Sequence, residues 1–101
     1  MNTFKIRHSV VFSLKHKKGS SEEKAFLDAA RKLSAIQGVH HFECLLQVSR
    51  KNNFDYGLSM EFDSQEAYDA YNRDPAHEAF VKTFWVQNVK EFLELDFEIM
   101  R

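Results

Sequence analysis

The sequence predicts an α+β fold of the ferredoxin-like type, a four-stranded antiparallel sheet with both helices on one face. Four stretches alternate apolar and polar residues with the period of a strand, and two stretches carry apolar residues at helical spacing. Their order along the chain is β-α-β-β-α-β, which is the split βαβ arrangement of ferredoxin-like folds. A length of 101 residues corresponds to a single domain, residues 1–101.

The first half of the chain begins with a predicted strand and helix. Alternation from Phe4 to Leu14 predicts a strand whose inward face is apolar except for His8. Ser20 and Glu23 then have the spacing of a capping box, in which a side-chain oxygen binds the free amides of a helix start. Gly38 can adopt the left-handed conformation that ends the helix.

Two further strands, Val39–Val48 and Phe54–Phe62, are predicted to form a hairpin across a polar loop. Strict alternation in the first of them would place the neighbouring residues His40 and His41 on opposite faces. Two imidazoles on opposite faces cannot bind one metal ion, and we therefore expect no metal site there.

The second half begins with a short predicted helix from Gln65, which Asp63 or Ser64 can cap. Asp74 caps a new start and Pro75 takes the first helical position, where its missing amide has no cost. This segment is predicted to run to about Val89, with core residues Phe80, Val81, Phe84 and Trp85 at helical spacing. A fourth strand follows, with its apolar face expected to point at the helices: Leu93, Leu95, Phe97 and Ile99.

Three polar side chains are expected to converge between the sheet and the helices. His8 lies on the inward face of the first strand, while Tyr71 and His77 flank the bend at Pro75. A histidine has a pKa suited to removing an acidic C–H proton, and a tyrosine hydroxyl can hold the resulting oxyanion. The positive end of the helix dipole would help to keep His77 neutral. The alternative is that each of the three side chains makes an ordinary structural contact.

The composition excludes several classes of function. Fourteen basic and fifteen acidic residues give a net charge of −1 without a basic stripe, so we expect no nucleic-acid partner. One cysteine, Cys44, cannot form an intramolecular disulfide. No apolar run is long enough to span a bilayer, and no signal-peptide core is visible, so we expect a cytoplasmic protein without a membrane partner. No flavin, nucleotide or phosphate-loop motif is present, and we expect no cofactor.

Several segments together resemble the stress-responsive dimeric α/β-barrel (Dabb) family over nearly the whole chain. The matching segments are Arg7–Phe12, Ile36–Val39, Asp55–Phe62, Pro75–His77 and Leu95–Phe97. The resemblance implies a homodimer in which two sheets face one another and close a barrel. It also implies relatives that include plant heat-stable stress proteins and a polyketide cyclase with its pocket between sheet and helices.

The resemblance to that cyclase implies a catalytic pair, His77 and Tyr71, and a pocket-lining histidine, His8. Where the cyclase has a histidine on the third strand, this chain has Tyr56, which could lie in the pocket, in the core or at the rim. Phe12, Phe80 and Trp85 would either contact a ligand or fill the space.

Three functions remain open at this point. The first is a cofactor-independent cyclase, lyase or isomerase acting on a carbonyl-rich or aromatic small molecule. The second is a non-catalytic dimer, associated with stress or binding a small molecule. The third is a monooxygenase-like protein, since that superfamily shares the fold. Whether the protein is an enzyme is not decided by its sequence.

The polar residues predicted for one face of the sheet conflict with the burial of that face in the implied dimer. The sheet face without helices is predicted to carry mainly polar residues, with Val11 and Leu45 as its few apolar points. The predicted polar residues of this face are Lys5, Arg7, Ser9, Ser13, Glu43 and Glu94.

Overall fold

A computed structural model describes residues 4–100 of the protein and confirms the predicted fold. The strands are β1 Ile6–Leu14, β2 His40–Leu46, β3 Tyr56–Phe62 and β4 Val89–Phe97. The helices are α1 Ser21–Arg31, followed by a 3₁₀ turn Lys32–Ala35, then α2 Gln65–Arg73 and α3 Pro75–Phe80. The last of these continues into a π-helical turn, Val81–Trp85, and a final helical turn, Val86–Asn88.

The sheet has the strand order β2-β3-β1-β4, and every neighbouring pair is antiparallel. Between the sheet and the helices lies a core rich in aromatic side chains. Phe12, Met60 and Phe62 from the central strands are fully buried against Phe26 of α1 and Tyr71 of α2. The inward face predicted for β1 is confirmed, since every second residue from Ile6 to Leu14 is buried.

The predicted helix starts are confirmed in detail. The Ser20 side chain accepts a hydrogen bond from the Glu23 amide, and the Glu23 carboxylate accepts one from the Gly19 amide. Ser64, rather than Asp63, caps α2 by accepting from the Ala67 amide at 3.1 Å. Each cap satisfies a backbone donor that the helix leaves free at its start.

The prediction for β4 is wrong about which face of the strand meets the helices. Asp96 lies opposite His8 and Glu94 lies opposite Val10, and directly paired residues of an antiparallel sheet point to the same side. The acidic residues of β4 therefore face the helix layer. The apolar residues point away from it, with Leu93, Leu95 and Phe97 between 40% and 51% exposed.

This register also corrects the predicted composition of the helix-free face. Glu94 is not part of it, and the apolar residues of β4 join Val11 and Leu45 there. We call this group the sheet patch: Val11, Leu45, Leu93, Leu95 and Phe97. Opposite Val11 and Leu45 lies Gly57, whose missing side chain keeps the centre of the patch flat. The face is thus more apolar than its sequence pattern indicated.

The strict alternation predicted for β2 is interrupted by a β-bulge. The register with β3 shifts between His40 and Glu43, and His41 has a φ of 51°, which an L-residue adopts only with strain. Both imidazoles contact the ring of Phe4, at 4.7 and 5.0 Å between centroids, so they do not point to opposite faces. The strand also ends at Leu46, earlier than predicted, and leaves Val48 82% exposed in the loop.

Among residues 4–100, no helix has both the length and the apolar character needed to cross a bilayer.

Candidate functional site

A cavity of about 590 Å³ lies between the sheet and the second half of the helix layer. Most of its wall is apolar, and the polar groups are gathered on the strand β1, the neighbouring edge strand β4 and the α2–α3 bend. The π-helical turn supplies Val81 and Trp85; such turns widen a helix locally and are frequent at functional sites. The polar residues of the wall are His8, Tyr71, Asn72, His77, Lys90 and Glu94.

The three side chains predicted to converge all line this cavity. Tyr71 is in the last turns of α2, and His77 is in the first turn of α3, beyond the bend at Pro75. Their ring centroids are 4.5 Å apart, and the ring of His8 on β1 is 6.4 Å from that of Tyr71. One small ligand can therefore contact all three residues.

Tyr71 offers a hydrogen-bond donor that the rest of the protein does not use. The residue is only 2% exposed, and its hydroxyl has no hydrogen-bond partner among the described residues. Burial raises the pKa of this hydroxyl, with further contributions from Tyr68 and from the negative charge of Glu94, so it stays protonated at neutral pH. The hydroxyl oxygen is not fully enclosed, because His77 Nδ1 is the only inaccessible side-chain nitrogen or oxygen without a partner among residues 4–100. The Tyr71 hydroxyl is therefore available to an acceptor on a bound ligand.

His77 is held in its neutral form. Burial lowers the pKa of its imidazole below the ordinary value. The backbone of Asn72 raises this pKa, but by less than burial lowers it. Its Nδ1 atom is inaccessible to solvent and has no hydrogen-bond partner in the described part of the chain. A neutral imidazole can accept a proton, which is the property required of a general base.

The lowered pKa of His77 predicts that the protein loses stability as the pH falls. In the unfolded chain the imidazole has a pKa of about 6.5, so the unfolded state binds a proton before the folded state does. The contribution of His77 to the free energy of unfolding is complete above pH ~6.5. It is lost as the pH falls through the folded-state pKa of the imidazole. Urea unfolding at pH 7.5 and 5.5 should show a smaller decrease for His77→Gln than for the wild type. The exposed Lys82→Gln serves as the control and should retain the wild-type decrease.

His8 is oriented by two side chains that lie behind it. Its Nδ1 is 2.6 Å from Asp96 Oδ1, and the Tyr68 hydroxyl is 3.0 Å from both this nitrogen and Asp96 Oδ2. A carboxylate can only accept, so the imidazole donates its Nδ1–H to Asp96. In the neutral ring this leaves Nε2 with the free lone pair, on a residue that lines the cavity.

The sequence pattern missed Asp96 and Glu94 because it assigned the wrong face to β4, and it did not single out Tyr68 of α2 as a site residue. Tyr68 could have been found, since it precedes Tyr71 by three residues and thus shares its face of α2. The signal for Asp96 is the acidic alternation Glu94-Asp96-Glu98, which the sequence pattern assigns to the sheet face without helices. Only the register between β4 and β1 places these carboxylates beside His8.

His8, Glu94 and Asp96 also satisfy the spacing of a possible cation site, with one ligand atom of each within 4.8 Å of the others. Their hydrogen bonds argue against this use. His8 Nδ1 and both oxygens of Asp96 are already engaged with one another and with Tyr68. A cation in the cavity would meet only the far side of His8 and the carboxylate of Glu94.

The predicted ligand-contacting residues divide into two groups. Phe80 and Trp85 line the cavity. Phe12 and Tyr56 do not: Phe12 is fully buried between the rings of Phe26 and Trp85, and the Tyr56 hydroxyl donates to the Glu23 carboxylate. Phe12 is therefore a core residue, and Tyr56 connects β3 to α1 through its hydrogen bond. Neither residue lines this cavity.

Comparison with known proteins identifies related sequences and structures. Residues 6–99 match the family model described as the stress responsive A/B barrel domain, Dabb. A solved Dabb family protein with a ferredoxin-like fold from Mesorhizobium loti is 52% identical, with a TM-score of 0.93 over 97% of this chain and 99% of that one. Comparison with curated proteins gave no sequence match.

Two more distant structures show the same fold. A dimeric ferredoxin-like protein of unknown function from Thermobifida fusca is 18% identical, with a TM-score of 0.78 over 95% of this chain and 92% of that one. A hydroxynitrile lyase from Passiflora edulis is 14% identical, with a TM-score of 0.83 over 98% and 96% of the two chains.

Proposed function

The chain belongs to the Dabb family, and we propose that it is a cofactor-independent lyase, cyclase or isomerase acting on a carbonyl-bearing small molecule. The observation that carries this proposal is the unpaired hydroxyl of the buried Tyr71, which lies beside two imidazoles in one cavity. A donor without a protein acceptor, next to proton acceptors, is the arrangement needed to form and stabilise an enolate or an alkoxide.

The reaction proposed for this site begins with a carbonyl oxygen of the ligand accepting a hydrogen bond from Tyr71. The neutral His77 then removes a proton from the adjacent carbon, and the electron pair of the broken C–H bond moves onto that oxygen. Tyr71 stabilises the negative charge that forms there. The protonated His77 returns the proton when the new bond has formed or the leaving group has departed.

His8 supplies a second position for proton transfer. Asp96 and Tyr68 hold its ring so that Nε2 is the acceptor, and a carboxylate behind an imidazole stabilises the imidazolium that forms on protonation. Two imidazoles on different sides of a ligand allow a proton to be taken at one atom and delivered at another. An isomerisation or a cyclisation requires both transfers.

The rest of the cavity suits a ligand with an apolar body. Its volume lies within the range of about 300–1,000 Å³ that is usual for small-molecule sites. Val10, Leu58, Phe80 and Trp85 provide an apolar wall away from the imidazoles. The space is not filled by aromatic side chains, which would have favoured a purely structural role. A hydroxynitrile lyase with the same fold is consistent with lyase chemistry on this scaffold.

The test of this function is a thermal-shift screen of a carbonyl-compound library against the wild type, Tyr71→Phe and His77→Ala. We expect a ligand that stabilises the wild type to lose about tenfold in affinity for Tyr71→Phe, because one buried hydrogen bond is removed. Turnover of that ligand, followed by NMR, should be abolished in His77→Ala. A ligand that stabilises all three proteins equally would count against the proposed site.

We also propose that two copies of the chain associate through the sheet patch to form a dimeric α/β barrel. Five apolar side chains on one face of the sheet, most of them 40% to 51% exposed, form a surface that a monomer would leave in water. The dimeric protein from Thermobifida fusca shares the fold and supports the proposal of a dimer. Sedimentation velocity of the wild type at micromolar concentration should give twice the mass of the 11.9 kDa chain.

A further inference from the structure

Glu94 presents the cavity with a carboxylate that no other part of the protein uses. Its position opposite Val10 turns its side chain toward the helix layer, two residue pairs along the strands from His8 and Asp96. The carboxylate of Asp96 is engaged by His8 and Tyr68. That of Glu94 has no hydrogen bond or ion pair with any residue from 4 to 100, and Glu94 is part of the cavity wall.

The cavity wall beside His8 carries negative charge that no basic side chain of the described residues neutralises. Glu94 lies within 4.8 Å of His8 and of the second carboxylate, Asp96, and no lysine or arginine pairs with either acid in the described chain. Lys90, also in the wall, makes no ion pair with Glu94. The negative charge of Glu94 also raises the pKa of Tyr71, so its influence reaches the group that would hold the ligand.

Glu94 is an exposed residue at the cavity wall, so its carboxylate is hydrated when no ligand is bound. A ligand that packs against this carboxylate displaces part of its hydration, and a carboxylate that loses hydration without a new partner is destabilised. A ligand with a purely apolar or an anionic group at this position would therefore bind weakly. A ligand with an N–H or O–H donor there would replace the water and form a charge-assisted hydrogen bond.

We propose that Glu94 selects ligands that carry a hydrogen-bond donor, a hydroxyl or a protonated amine, beside the carbonyl group held by Tyr71. The inference rests on the proposed function, since it takes the Tyr71 carbonyl contact as its reference point. It defines the ligand class more narrowly: a hydroxylated or amino-substituted carbonyl compound with an apolar body. Anionic carbonyl compounds are disfavoured.

Four probes of similar size test this selectivity: acetophenone, 3-hydroxyacetophenone, 3-(aminomethyl)acetophenone and 3-acetylbenzoate. Trp85 is the chain's single tryptophan and lines the cavity, so its indole N–H resonance reports binding by NMR titration. In the wild type at pH 7, the hydroxyl and ammonium probes should bind about tenfold more tightly than acetophenone, and the benzoate probe most weakly.

Glu94→Gln keeps the size of the side chain and removes its charge. In this variant the ammonium probe should lose about tenfold in affinity, and the benzoate probe should bind more tightly than it does to the wild type. Glu91→Gln is the matched control, because Glu91 lies on the same strand opposite Ser13 and faces the other side of the sheet. Its probe preferences should equal those of the wild type.

Two results would overturn the inference while leaving the proposed function intact. One is an unchanged order of probe affinities in Glu94→Gln, with Tyr71→Phe weakening every probe. The other is that the wild type binds Zn²⁺ in the absence of the probes and that Glu94→Gln does not. That result would assign the carboxylate to a cation. Failure of all four probes to shift the Trp85 resonance at millimolar concentration would contradict both proposals.

Discussion

Replacing Leu95 by Asp is expected to convert the proposed dimer to a monomer. Leu95 lies opposite Ser9 in the register, with Leu93 and Phe97 two residues away on either side along the same face. In the proposed dimer its side chain is buried in the β4 part of the sheet patch, between Leu93 and Phe97. An unpaired carboxylate buried there would cost ~3–5 kcal/mol, equivalent to a weakening of the dimer by about two to four orders of magnitude.

Sedimentation velocity over a concentration series measures this change directly. Val48→Asp is the matched control, because Val48 is an apolar residue that is 82% exposed in the loop after β2, outside the sheet patch. The control should sediment like the wild type. Unfolding of Leu95→Asp is not expected, since Leu95 is 40% exposed and contributes little to the core of one chain. A folded Leu95→Asp protein that remained dimeric would place the interface elsewhere.

Replacing Phe12 by Ala is expected to reduce the free energy of unfolding by about 3–5 kcal/mol. The ring is completely buried, with centroids 5.1 to 5.5 Å from those of Phe26, Tyr56 and Trp85. Deleting it removes apolar surface from the core and leaves a cavity among rings that cannot close around it. Since domains of this size have a stability of roughly 5–15 kcal/mol, the loss is a large share of the total.

Urea unfolding followed by circular dichroism gives the measurement. Phe92→Ala is the control: Phe92 is 53% exposed, packs its ring edge-on against Trp85 and should lose less than ~1 kcal/mol. If Phe12→Ala does not fold, Phe12→Leu should fold with a loss of about 1–2 kcal/mol. Equal losses for Phe12→Ala and Phe92→Ala would contradict the assignment of Phe12 to the core.

The order of the elements and the inward face of β1 could be predicted because both follow from patterns within short segments of the sequence. Ser20, Ser64 and Asp74 each cap a helix within three residues of the group they bind, so the signal is contained in a short segment. The alternation in β1 is unambiguous because the strand is central and is buried on the helix side along its whole length.

The two edge strands could not be predicted as well. Alternation shows that β4 has an apolar and an acidic face, but it does not show which face meets the helices. The bulge in β2 arises from pairing with β3 and has no local signature beyond the adjacent histidines. Both errors concern long-range register, which depends on contacts between residues far apart in the sequence.

The sequence by itself determined the ferredoxin-like fold, the Dabb family and the convergence of His8, Tyr71 and His77 on one space. Helix periodicity, caps and strand alternation are sufficient for the fold because each depends on neighbours in the chain, whereas the family follows from the resemblance of several segments together. Only the tertiary structure decided that Asp96 orients His8, that Glu94 faces the cavity and that Leu95 lies on the open sheet face. The physical reason is that one register, between β1 and β4, determines all three, and a shift by one residue would reverse them.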